Sequence, residues 1–538
     1  MMEFTPAAVL AHYPLHADTL PSLVASRALT VPNALALRFG ARIYTYAELT
    51  AAVSHLARVF SAAGAETGTP IGFIAPNSDL TVLAFLAAGA IGAVFVPMNA
   101  ALTDAELKYV IEHSRARILC SALALKSRVE GLAQGLAAKP RHLALDDWGL
   151  HAATSTKLIA ALHACAVNTP RVIAEVHPEM PLVVVYTSGT TGFPKGVVHT
   201  HRNYVWAAEA FVERMHLQPT ERLLTVLPFF HINALFYSLG GALAAGAMLI
   251  AADSFSASRF WDLAVEAGAT QFNTLAAVGS ILCKRPRSEF NPAHRIRKVY
   301  GGPISPEVDA TFRAEFNIPH VIEGYGMSEI PGACNNPFQG PHKQGSIGVP
   351  ARHPRFDRTL VQMRVDDDEG QPVPTGSIGE LVVKTPIALQ SYLHDPQATA
   401  TAFRDGWFLT GDLARQDEEG YFYFIARKKD IIRVRGENVA GAELDRILGL
   451  HPAISEAATI GVPAELGDEE IFAVLVARDR APEITELIEW CRASLAEIKI
   501  PRYWLFVDSL PHTPSHRVQK HRLKSDPTLL PRAFDRRI

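Results

Sequence analysis

Tyr186-Thr187-Ser188-Gly189-Thr190-Thr191-Gly192-Phe193-Pro194-Lys195-Gly196 concentrates more phosphate-binding chemistry than any other stretch of this chain. Its glycines let a backbone come close to an anion. The hydroxyls of Thr187, Ser188, Thr190 and Thr191 can donate to phosphate oxygens, and Lys195 adds a mobile positive charge. Upstream, Leu182-Val183-Val184-Val185 is a β-branched run that fits a buried strand. Downstream, Val205, Ala208, Phe211, Val212 and Met215 recur at helical spacing. The pattern predicts a nucleotide-phosphate loop between a strand and a helix. It is not a Walker loop, because Pro194 stands where the second glycine of that motif would be.

On either side of the loop, apolar helical patterns alternate with short apolar strands, the pattern of doubly wound α/β units. The first unit is expected from about Leu20 to Pro170, with a helix entered at Thr45-Tyr46-Ala47-Glu48-Leu49 and a strand at Ile71-Gly72-Phe73-Ile74. The second runs from the loop to about Pro354. There Leu223-Leu224-Thr225-Val226-Leu227 should deliver Pro228-Phe229-Phe230-His231 to the carboxyl end of a strand, where open α/β sheets bind ligands. Thr81 to Met98 is uncharged, but Gly89, Gly92 and Pro97 break it, so it reads as helix, turn and strand rather than a membrane span.

With 538 residues, two or more domains are expected. A net charge of −3 gives no electrostatic case for nucleic acid, and five scattered cysteines without metal spacing read as reduced thiols of a cytoplasmic protein. The N-terminal residues lack the basic and apolar regions of a signal peptide.

Further motifs follow. Val299-Tyr300-Gly301-Gly302-Pro303 reads as a strand ending in a glycine turn. In Glu323-Gly324-Tyr325-Gly326-Met327-Ser328-Glu329, Tyr325 offers a flat face to a purine, Ser328 a hydroxyl to phosphate, and Glu329 a hard oxygen to the Mg²⁺ that accompanies ATP. From about Phe356 the texture becomes antiparallel β and suggests a small barrel, which holds Gly406-Trp407-Phe408-Leu409-Thr410-Gly411-Asp412. A fixed carboxylate such as Asp412 can accept both ribose hydroxyls of ATP. Arg427-Lys428-Lys429-Asp430 then separates this part from a fresh α/β pattern.

Together these motifs resemble the adenylate-forming superfamily of acyl-CoA synthetases, luciferases and peptide-synthetase adenylation domains. The resemblance implies a large domain over residues 1–426 with two doubly wound α/β subdomains and a small β-barrel, a hinge at 427–430, and a small mobile α+β domain over 431–538. It places His231, Asn233, Gly326 and Met327 in the acyl pocket, although His231 also reads as an ordinary buried histidine. It lays Gly301, Gly302, Pro303, Glu323, Gly324 and Tyr325 against the nucleotide, with Thr187 to Gly192 and Lys195 on phosphate. Asp412 and Arg427 fall to ribose or phosphate, Lys429 to the hinge, and Gly436-Glu437-Asn438-Val439 to the thioester site. Phe255 to Trp261 and Arg435 to Val439 are similar to the carnitine or crotonobetaine-CoA ligase branch.

The chain departs from the family near its end, where Pro511-His512-Thr513-Pro514-Ser515-His516-Arg517 puts His-Arg in place of Gly-Lys. Arg517 keeps the charge in a planar, bulkier form. Lys520 is the other candidate, but along an extended strand it lies about 10 Å away on the opposite face. The implied activity is an ATP-dependent carboxylic acid:CoA ligase that forms an acyl-adenylate and then a thioester, using ATP, Mg²⁺ and CoA. A homodimer is compatible with the resemblance. The alternative keeps adenylation and passes the activated acid to an amine or a carrier-protein thiol.

Overall fold

Valine-rich runs build the centre of a seven-stranded sheet. In spatial order its strands are Ser391–Tyr392, Lys195–Thr200, Pro181–Thr187, Val94–Met98, Pro70–Ile74, Ile118–Ser121 and Arg141–Ala144. The computed structural model describes residues 4–144, 175–187, 194–356, 360–434, 437–464, 469–512 and 518–537. Ser188, Gly189, Thr190, Thr191 and Gly192 of the phosphate loop, and Arg517, lie outside the described residues.

The phosphate loop joins two strands and not a strand to a helix, which corrects the sequence reading. Pro181–Thr187 pairs antiparallel with Lys195–Thr200, and Thr187 faces Lys195. Val197 and Val198 are the β-branched pair that continues the sheet, and both are buried. The helix His201–Met215 begins only after Thr200, whose hydroxyl accepts from the Asn203 amide at 3.1 Å.

A second, nine-stranded sheet runs Val349–Pro350, Ile330–Asn335, His320–Met327, Lys298–Gly301, Gln271–Asn273, Arg222–Thr225, Met248–Ala251, Leu35–Phe39, Arg42–Thr45. The division between the two α/β units therefore does not fall at the phosphate loop. The phosphate-loop hairpin belongs to the first sheet, whereas the early hairpin Leu35–Thr45 forms the edge of the second. Thr45 and Glu48 form the capping box of helix Tyr46–Ala62, as its entry sequence predicts. Helix Asp79–Ala90 is buried nearly all round and is followed by strand Val94–Met98. Among the described residues no helix is long and apolar enough to cross a membrane.

The chain divides into two compact units. Both large sheets belong to the first, made mainly of Met1–Gly189, Phe193–Met363 and Val383–Phe408; the second comprises Arg364–Val382 and Leu409–Ile538. The small β part contains, among the described residues, a sheet in which Gly379–Lys384 lies between Gln362–Asp366 and Trp407–Gln416, with Phe403–Arg404 and Phe422–Arg427 both paired antiparallel to the last. Beyond it, strands Ile454–Pro463, Glu469–Ala477 and Tyr503–Phe506 pack Leu475 and Trp504 against Leu448 and Leu487 of two amphipathic helices.

In the first unit, helix His201–Met215 is anchored by a buried charge cluster. Glu209, 1% exposed, lies 3.1 Å from His16 Nε2, 3.2 Å from His353 Nε2 and 2.6 Å from Arg355 Nη2. Burial pushes the Glu209 carboxyl up, but the hydrogen bonds from His16 and His353 and the charges of His353 and Arg355 hold it well below the usual carboxylate range. Its stabilisation is therefore present above about pH 4.3 and is lost as the pH falls through the depressed folded value. Glu209→Gln is expected to cost about 3–5 kcal/mol in denaturant unfolding at pH 7, because it takes the charge from the buried partner of the Arg355 guanidinium. Its gap from wild type should shrink below about pH 4; a gap independent of pH would contradict this origin.

Candidate active site

Strand pairing in the first unit brings three charged or aromatic side chains into one row. Tyr392 pairs with Val197, two residues along the strand from Lys195, so both project from the same face. The Lys195 ammonium lies 4.9 Å from the Tyr392 ring centroid, and the Tyr392 hydroxyl donates to Glu329 Oε1 at 2.9 Å. One tyrosine thus spaces the cation of the phosphate loop from the carboxylate of the second motif. Burial, reinforced by the Glu329 charge and hydrogen bond, pushes the Tyr392 phenol far up, so it stays a donor. Glu329 is half-buried, and its Oε2 makes no hydrogen bond among the described residues. That oxygen suits a hard divalent cation.

The turn that carries Glu329 is fixed from behind. His199, fully buried, donates from Nε2 to the Ser328 carbonyl at 2.6 Å, because a carbonyl can only accept. Its Nδ1 then accepts from Asn203 Nδ2 at 3.2 Å. Burial lowers the His199 pKa to about 4 against the opposing pull of that carbonyl, so the ring is neutral at physiological pH. The Glu329 carbonyl accepts from the Leu389 amide at 2.7 Å.

The glycine turn and the Tyr-Gly motif lie side by side. Lys298–Gly301 pairs in parallel with His320–Met327, and Gly301 faces Glu323. A Cβ on Gly301 would strike the Thr274 carbonyl at 2.6 Å, and one on Gly302 would strike the Gly324 carbonyl. Close strand packing therefore demands glycine here whatever ligand is bound. Beyond Pro303, the Ile304 amide donates to Glu323 Oε1 at 3.1 Å. Burial, with the Asp309 charge adding to it, raises the Glu323 carboxyl to about 7 against that hydrogen bond. Tyr325 is half-buried and Gly326 exposed at the hairpin end, with Met327 facing Ile330.

His231 and Asn233 follow strand Arg222–Thr225 as expected. Asn77 secures that segment, donating to the Leu227 carbonyl at 2.8 Å and accepting from the Phe229 amide at 3.0 Å. Asn233 opens a π-helix, Asn233–Leu239, and its Oδ1 accepts from Asn273 Nδ2 at 2.9 Å. Short π segments are frequent at functional sites.

The second unit holds the remaining sequence-derived residues. Asp412, 1% exposed, faces Arg427 across the strand pair, with Arg427 Nε 3.0 Å from Asp412 Oδ1. Burial, then the Arg427 charge, lowers the Lys429 pKa. Lys520 Nζ lies 2.5 Å from Asp445 Oδ2, and Asp445 Oδ1 also accepts from the Thr459 amide and hydroxyl at 2.6 and 2.8 Å. This ties Lys520 to the fold of its own unit.

Tyr392, His199 and Asn203 are site residues that the motifs did not reveal. Tyr392 sits in a two-residue strand far along the chain, and only pairing with Val197 brings it to Lys195. The one available signal for His199 is a histidine that directly follows the Val197-Val198 pair.

Residues 24–393 match the model of the AMP-binding enzyme family, and residues 443–517 that of the AMP-binding enzyme C-terminal domain. The chain is 33% identical over 514 residues to a sulfoacetate–CoA ligase of Cupriavidus necator, covering 94% of this chain and 97% of that one. It is 29% identical over 491 residues to a crotonobetaine/carnitine–CoA ligase of Shigella dysenteriae, covering 89% and 93%. Its fold is similar to ATP-bound MatB from Rhodopseudomonas palustris, with a TM-score of 0.82 at 27% identity, covering 94% of this chain and 98% of that one. The motif row, the paired sheets and the family match over most of the length agree: this chain belongs to the AMP-binding enzyme family, within the adenylate-forming acyl-CoA synthetases.

Proposed function

We propose that Lys195 and Glu329, spaced by Tyr392, hold the outer phosphates and the metal of Mg·ATP while a substrate carboxylate attacks the α-phosphorus. The chain is an ATP-dependent carboxylic acid:CoA ligase of the AMP-forming type. The attack releases pyrophosphate and leaves an acyl-adenylate; the CoA thiol then attacks the carbonyl and AMP departs. Such chemistry needs positioning and charge neutralisation more than covalent help from the protein. The observation that carries this reading is the Lys195–Tyr392–Glu329 row.

Within it, Glu329 holds Mg²⁺ through its outer oxygen, and the neutral His199 keeps the Ser328–Glu329 turn in register. Thr187, Ser188, Gly189, Thr190, Thr191 and Gly192 cradle phosphate. Gly301, Gly302, Pro303, Glu323, Gly324 and Tyr325 face the base, and Asp412 takes the ribose with Arg427 beside it. Arg517 supplies the cation at the α-phosphate. Lys429 serves as the hinge for the thioester step, a conformational gate. The reading extends to a cytoplasmic enzyme without a nucleic-acid partner. The relatives act on acids as different as sulfoacetate and crotonobetaine, so their names leave the acid open.

Pyrophosphate release from ATP across a panel of acids tests this reading; it should require acid and proceed without CoA. Release only in the presence of an amine or carrier-protein acceptor would favour the alternative acceptor. Tyr392→Phe removes a hydrogen bond to a charged group. It should lower kcat/KM about tenfold and raise the Mg²⁺ concentration needed for half-maximal rate. An unchanged Mg²⁺ dependence would show that the hydroxyl does not position Glu329.

A further inference from the structure

Arg214 is a buried cation without a counter-anion among the described residues, and it contacts elements that carry both segments assigned to the acyl group. It sits in the last turn of helix His201–Met215 and is 4% exposed. Its Nε donates to Asn335 Oδ1 at 3.0 Å and its Nη2 to the Gly332 carbonyl at 2.8 Å. The Phe211, Tyr237 and Tyr300 rings lie 5.7, 5.5 and 5.3 Å from its Cζ. Nη1 makes no well-formed hydrogen bond among the described residues, the neutral Tyr300 hydroxyl is the remaining polar group that interacts with the guanidinium, and among the described residues no carboxylate pairs with it. Carbonyl, amide and ring faces spread the charge but do not cancel it, whereas buried ions are normally paired.

The surroundings say what could complete it. Tyr237 belongs to the π-helix Asn233–Leu239, which directly follows His231. Gly332 adjoins Gly326 across the hairpin: a Cβ on Gly326 would meet the Gly332 amide nitrogen at 2.6 Å. Gly332 itself has φ +63°, and a Cβ there would run into both terminal nitrogens of Arg214. The guanidinium therefore fills the place a side chain at 332 would take, one residue layer from Gly326.

We propose that Arg214 reads the far end of the acid, so that the substrate is a short acid with a second anionic group, carboxylate or sulfonate. This rests on the ligase reading above. An anion gains charge-assisted hydrogen bonds from a planar donor fork. A neutral tail seals the cation in without a partner, which selects against it. The acid is short because Gly326, assigned to the acyl pocket, and Gly332, beside the guanidinium, adjoin.

Matched acids decide the matter: malonate against malonamate, succinate against succinamate, and sulfoacetate against methylsulfonylacetate. Acid-dependent pyrophosphate release should favour the dianion by roughly a hundredfold in kcat/KM for at least one pair. In Arg214→Gln that ratio should collapse towards unity, and Arg214→Lys should retain part of it. Because each ratio is taken within one variant, loss of folded protein cancels. Thermal shift of the wild-type protein by each acid reports the same preference without turnover or any variant. Equal shifts within every pair, or a wild-type ratio preserved in Arg214→Gln, would overturn the proposal and make Arg214 a structural tie. Pyrophosphate release with monoanionic acids alone would do so while leaving the ligase reading intact. Release with no acid at all would overturn the ligase reading, and the thermal shifts would still decide Arg214.

Discussion

Glu329→Gln is expected to lower acid-dependent pyrophosphate release by a hundredfold or more, the scale of losing one electrostatic contact made in the transition state. The substitution keeps the size of the side chain and an oxygen that can accept from the Tyr392 hydroxyl, so packing is little disturbed. It removes the charge that makes the outer oxygen a good ligand for a hard cation. The backbone of the turn is held independently, by His199 on the Ser328 carbonyl and by the Leu389 amide on the Glu329 carbonyl. Thermal unfolding should therefore stay close to wild type while activity falls. Excess Mg²⁺ should recover part of the loss. Unchanged pyrophosphate release would remove Glu329 from the metal, and an equally large drop in melting temperature would make its role structural.

The second large effect separates Arg517 from Lys520. Arg517→Ala should cut adenylation by about a hundred- to a thousandfold, because charge develops at the α-phosphate as the carboxylate attacks. Thioester formation from a preformed acyl-adenylate should suffer far less. Lys520→Ala should behave differently, since the Lys520 ammonium pairs with Asp445, a carboxyl that burial pushes up and the Lys520 charge pulls back. That variant should lose stability first, and its loss of rate should be similar in both half-reactions. A Lys520→Ala defect confined to adenylation, and larger than that of Arg517→Ala, would transfer the catalytic charge to Lys520.

Local chemistry made much of this molecule legible from sequence. Thr45 with Glu48 marks a helix start, the glycines after Tyr300 mark a strand end, and within Thr81 to Met98 Gly92 divides helix from strand, whereas Gly89 lies inside the helix and Pro97 inside the strand. What stayed hidden depended on pairings between distant segments. Lys195-Gly196-Val197-Val198 is too short a run to announce an antiparallel strand, so the local pattern points from the phosphate loop directly to a helix. Hairpin Leu35–Thr45 joins the sheet of residues two hundred positions later, a crossover no local pattern encodes.

The candidate residues follow the same rule. The chemistry proposed for Glu329, Lys195 and Asp412 is carried by their own motifs. The role proposed for Tyr392 depends on its pairing with Val197, and that proposed for Arg214 on the space Gly332 leaves for it. Their motifs present Asp412 and Arg427 as separate ligands, and the structure joins them as an ion pair. The resemblance assigns the glycines at 301 and 302 to the nucleotide, yet Thr274 and Gly324 already require them.

The central claim is that a carboxylate oxygen of the acid attacks the α-phosphorus of ATP. Its most direct test is to supply the acid with both carboxylate oxygens labelled as ¹⁸O, together with ATP and CoA, and weigh the products. The account predicts AMP carrying one ¹⁸O and a thioester retaining the other. Unlabelled AMP, or ADP and phosphate in its place, would contradict it.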